Sequence, residues 1–126
     1  MQINIGIECA YENAYELVTK IGGKFKEEKE EITQNLNEIQ FHYNEVVFCA
    51  KFEDYDSAVA HCKLLYKLSE NASVQALRLV DRVREVEYDP HFKGKSSMEH
   101  SESLFEELAY IVHYAGQLLD ELQLAA

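Results

Sequence analysis

The chain has 126 residues, 23 of them acidic and 12 basic, for a formal charge of −11 with its five histidines neutral. That length is one domain (1–126) able to bury a core unaided, and with no 18-residue apolar run there is no candidate transmembrane helix. The charge repels phosphate backbones and anionic lipid, which sets nucleic acid and membrane surfaces aside as partners and favours a basic protein.

The start, "MQINIGIEC", has no basic segment ahead of an apolar one, so a cytoplasmic location is expected. Apolar residues at Ile7, Ala10, Ala14, Leu17 and Ile21 then step by three and four, one face of a first helix. Gly22 and Gly23 interrupt it, because paired glycines weaken a helix and permit a bend. Phe25, Ile32, Leu36, Ile39, Tyr43, Val46 and Ala50 resume the stepping in a second helix, and Phe41, Phe48 and Phe52 widen its stripe, which predicts a central position for that helix. Asp54 and Asp56 are cap candidates for a third helix over about 56–88, with Ala58, Cys62, Leu65, Ser69, Ala72, Ala76, Leu79, Val83 and Val86 on one face. Asp89 and Pro90 end it, and a connection over about 89–97 with His91, Lys93 and Lys95 leads to a last helix that Ser96 or Ser97 can cap. There Leu104, Leu108, Ile111, Ala115, Leu118 and Leu122 form the most regular stripe of the chain, after which residues 123–126 are expected to fray.

One competing pattern is strand-like: residues 1–9 alternate, as do Ile39, Phe41 and Tyr43, and residues 38–52 could form a hairpin. Against it, the helical stepping is unbroken from Ile32 to Ala50, and "KEEKEEITQNLNEI" is rich in helix formers. Helices of about 30 residues span roughly 45 Å, and several joined by turns lie antiparallel. The expected fold is all-α: an up-and-down antiparallel bundle of four helices, the first two joined by the Gly22-Gly23 bend.

Chemistry is sparse. Cys9, Cys49 and Cys62 are an odd number without a CxxC pair, so they imply neither a disulfide framework nor a zinc site and read as buried thiols. Glu38, His42 and Glu45 share a helix face, but no Glu-x-x-His pair matches a di-iron bundle, and neither a nucleophilic triad nor a phosphate-cradling glycine loop is present. No metal, cofactor or catalytic residue is indicated. Arg84 and His91 match the loose Arg-x6-His spacing of HEPN-type ribonuclease bundles, although Pro90 takes His91 off the helix such a site needs. "AVAHCKLLYKL" resembles a histidine phosphotransfer domain, which implies His61 as phosphoacceptor; Leu64 and Leu65 stand where that family has lysine and glycine.

The remaining signal is charge placement. From Met98 onward there are six acids and no Lys or Arg, and Glu27, Glu28 and Glu31 crowd the start of the second helix. The leading expectation is a small acidic protein-binding module, similar in size, charge and fold class to immunity and antitoxin proteins that inhibit basic partners. Glu27, Glu28, Glu31, Glu99, Glu102, Glu106 and Glu107 would steer the partner, and Tyr110 and Tyr114 would anchor it. The alternatives are the phosphotransfer reading and a ligand-free protein that forms homo-oligomers.

Overall fold

The computed structural model describes residues 4–87 and 96–126. Four helices follow in order: α1 (Ile5–Lys20), α2 (Lys26–Lys51), α3 (Tyr55–Glu87) and α4 (Ser96–Ala125), with a single 3-10 turn (Gly23–Phe25) between the first two. Among the described residues there is no strand, so Ile39, Phe41 and Tyr43 are helical and the hairpin pattern is not used. The basic connection around His91 lies outside the described residues, as do residues 1–3.

The stripes read from the sequence form the core. Ile7, Ala10 and Ala14 of α1, Ile32, Leu36 and Ile39 of α2, Leu65, Ala72 and Leu79 of α3, and Leu104, Leu108 and Ile111 of α4 are all buried. On α1 the stripe turns slightly from the expected register: Val18 is buried and Leu17 packs only partly. The third helix runs unbroken through "SENAS", where the fully buried Ser69 satisfies its hydroxyl by donating to the Leu65 carbonyl at 2.7 Å.

The described helix ends have their own devices. Asn4 caps α1, its side-chain oxygen accepting from the Ile7 amide at 3.2 Å. Where α1 ends, Lys29 donates to the Ile21 carbonyl at 2.6 Å, and Ile21 and Phe25 plug that end of the core. The Gly22 amide donates to Ser97 Oγ at 3.3 Å, which ties the bend to the start of α4. Ser97 therefore serves the neighbouring bend. Gly22 lies at φ −61° and ψ 157°, a backbone open to most residues, so the glycines end α1 by poor helix propensity and no special angle is involved.

The α2–α3 turn is a Schellman motif: the Glu53 amide donates to the Ala50 carbonyl (3.0 Å) and the Asp54 amide to the Cys49 carbonyl (2.9 Å). Asp54 then caps α3, accepting from the Ser57 amide at 3.2 Å, which fulfils one of the two cap expectations. Glu53 holds the left-handed position at φ 60°, a site that glycine usually fills. At the other end of the chain α4 continues to Ala125, with the Ala126 amide bonded to the Leu122 carbonyl at 3.0 Å.

The helices do not share contacts equally. α3 packs extensively on both α2 and α4, whereas α1 rests mainly on α4 and touches α2 lightly. Gly6 marks a close approach of α1 to α4, where a Cβ would fall 2.7 Å from Cε2 of Tyr114 and 2.9 Å from the capping Asn4 side chain.

Two substitutions test this description. Glu53→Gly should stabilise the protein by about 1 kcal/mol by removing left-handed strain, and Gly6→Ala should destabilise it by about 1–2 kcal/mol through overpacking against Tyr114. Urea unfolding of both variants checks the two signs; a Glu53→Gly protein no more stable than wild type would contradict the turn.

Candidate functional site

The residues expected to contact a partner fall in three places. Glu99, Glu102, Glu106 and Tyr110 step by three and four along the outer face of α4, all exposed, with Tyr110 at 50%. Glu107 and Tyr114 lie at the edge of that face and are half-buried, and Tyr114 packs on the core beside Gly6, so it is part of the fold's interior surface. Glu27, Glu28 and Glu31 open α2; Glu28 is taken up by Arg82 of α3, whose Nε lies 2.8 Å from its carboxylate. Glu27, Glu28 and Glu99 stand in helix first turns, where carboxylates favour the positive end of the helix dipole, which gives these acids a structural role of their own.

The most distinctive exposed surface lies on α2. Phe41, Phe48 and Phe52, expected to widen the buried stripe, point outward and are 57%, 60% and 65% exposed. At about 100° per residue these three positions fall opposite the buried stripe from Ile32 to Ala50, so they face away from the core. Phe48 and Phe52 stack on each other with ring centres 4.9 Å apart. The neighbouring positions Glu38 and Glu45 border this phenylalanine ridge with negative charge.

Beside the ridge, His61 of α3 meets His42 of α2, Nδ1 to Nδ1 at 3.0 Å, and Phe41 stands edge-on to His42 with ring centres 5.1 Å apart. The two histidine ring centres are 5.3 Å apart. That distance equals the N···N separation plus two ring radii of roughly 1.2 Å each, so the two nitrogens face each other head-on. A proton fits between them as an N–H···N bond. A metal ion in line would need about 4 Å at ordinary zinc–nitrogen distances, and among the described residues no three His, Cys, Asp or Glu side chains are placed to hold one. Burial, then the neighbouring His61, push His42 below the usual histidine range, with Glu38 and Glu45 acting weakly the other way.

The pair bears on the phosphotransfer pattern. When His61 donates its Nδ1 proton, its Nε2 carries a free lone pair; but Leu64 is exposed and Leu65 fully buried at the two positions where that family has lysine and glycine. Of the cysteines, Cys49 and Cys62 are buried as expected and Cys9 is exposed. The Cys62 thiol donates to the Ala115 carbonyl at 3.6 Å and is pushed up to about 12 by burial, so it stays protonated and inert.

The comparisons add no name to this geometry: no protein-family model, curated protein or solved structure matches the chain. No described helix is long and apolar enough to cross a membrane.

The lowered His42 fixes the sign of a pH effect. The folded state prefers the neutral ring, so below about pH 6.5 the unfolded chain binds more protons and stability falls with acidification through the lowered folded value. Melting temperature should therefore drop between about pH 7 and pH 5, and more steeply in wild type than in His42→Gln. Equal slopes in the two proteins would remove the pair from the account of acid sensitivity.

Proposed function

We propose that the protein is a binding module for a basic protein partner, of the immunity or antitoxin kind, that docks on the outer face of α2. The observation that supports it best is the phenylalanine ridge: three large aromatic side chains held in water along α2 and its C-cap, in a chain with charge −11. Exposing them forgoes burial worth about 1.5–3 kcal/mol each, a cost that a partner would offset by covering them. Aromatic anchors ringed by charge are the usual anatomy of a hot spot, apolar at the centre and polar at the rim.

The acids divide the labour by distance. Glu38 and Glu45 at the rim of the ridge set the sign of the partner, while Glu99, Glu102 and Glu106 on α4 add to the long-range field that draws it in. The ridge replaces Tyr110 and Tyr114 as the main anchor because Tyr114 already packs against α1. A second copy of the chain is the weaker occupant, since two surfaces of the same negative sign repel.

The test is to recover the partner by co-purification from the native source and measure its association. The rate should fall as salt rises past about 0.1 M, where screening shortens to roughly 10 Å, and Phe48→Ala with Phe52→Ala should weaken binding at least about tenfold, or 1.4 kcal/mol, with melting unchanged. Salt-independent association together with full-strength binding by the double variant would sink the proposal, and self-association in sedimentation would hand the ridge to a second copy.

A further inference from the structure

We infer that the groove between α1 and α2 is a binding site for a linear alkyl polyamine. Because α1 leans on α4, its opposite side stands away from α2 and leaves two adjoining hollows, of about 130 Å³ and 560 Å³. They share Tyr11, Glu12 and Gln40, and so form one channel running along both helices. Among the described residues, no Lys or Arg lines either hollow.

The floor and walls suit an alkyl chain that carries charges. Ile7 and Ile39 are buried beneath the smaller hollow and give it an apolar base. Tyr11 and Tyr15 line the larger one with ring centres 6.2 Å apart and planes tilted by 33°, and their faces attract ammonium groups and cover methylenes. Burial, with Tyr15 nearby, raises the Tyr11 hydroxyl above its ordinary value, and burial with Glu8 raises that of Tyr43, so both stay protonated donors. Tyr11 donates to Gln40 Oε1 at 3.1 Å, which holds its ring in the channel.

Charge is spaced to match. Glu8 and Glu12 are four residues apart on α1, about 6 Å along the axis. Two ammonium groups joined by four methylenes lie about 6 Å apart when extended. Tyr43 donates to Glu8 Oε2 at 3.1 Å, which orients that carboxylate and leaves its other oxygen for a ligand. Glu12 has no salt bridge among the described residues, whereas Glu16, one turn further, is paired with Lys20 at 3.1 Å. The recognised cations therefore sit against Glu8 and Glu12. An inorganic cation would use the carboxylates and ignore the aromatic walls; an anion is repelled by both.

Calorimetric titration of the full chain tests this with spermidine, butylamine and magnesium at equal ionic strength. Spermidine should bind saturably at one site, with butylamine and magnesium at least about fivefold weaker, since each lacks either the second charge or the alkyl chain. Glu12→Gln and Tyr11→Leu should each weaken spermidine by about fivefold. Because Glu12 is exposed, its variant keeps the test sound even if Tyr11→Leu disturbs folding. Phe48→Ala should leave spermidine binding unchanged, so this result and that for the protein partner succeed or fail separately. Magnesium binding as tight as spermidine, spermidine binding without saturation, or a lysine-containing peptide outcompeting it would each overturn the assignment.

Discussion

The open groove of this molecule follows from the way α1 is held. A symmetrical four-helix bundle would press each helix equally on two neighbours, but α1 seats its small residues against α4, with Gly6 admitting the Tyr114 ring, and keeps only light contact with α2. The apolar area that α1 buries is thus counted mainly against α4. One side of α2 loses a close neighbour, and the groove beside it results.

α3 is the complement of this arrangement. Its seam alternates small with large residues, Ala58, Cys62, Ala72 and Ala76 among Leu65, Leu79 and Val83, all buried, which lets two helices approach it closely. That double contact explains why its one buried hydroxyl, Ser69, must be satisfied within its own helix. It also brings His61 against His42 at the edge of the core, where solvent still reaches both rings in part.

The core was legible in the sequence because burial imposes a period. Every residue of the α4 stripe, from Leu104 to Leu122, is buried as the stepping implied, and the same holds on α2 from Ile32 to Ala50. What the period could not tell is which of two stripes on α2 lacks a partner. Phe41, Phe48 and Phe52 repeat as regularly as core residues do, but on the side opposite the Ile32–Ala50 stripe, and their exposure shows which stripe is outside. The His42–His61 pair was hidden for a related reason: residues on different helices have no fixed spacing along the chain. The Schellman turn was missed because glutamate occupies the place where glycine or asparagine would have signalled it.

The one-sided seating of α1 also has a consequence for assembly. α2 and α3 are joined by a turn of three residues, so their pairing closes almost no loop. Docking α1 on α4 brings Gly6 to Tyr114 and Gly22 to Ser97, the latter pair 75 residues apart in sequence. Long closures carry the larger entropy and slow the search. The helix that shapes the groove is thus one whose place carries a large closure entropy.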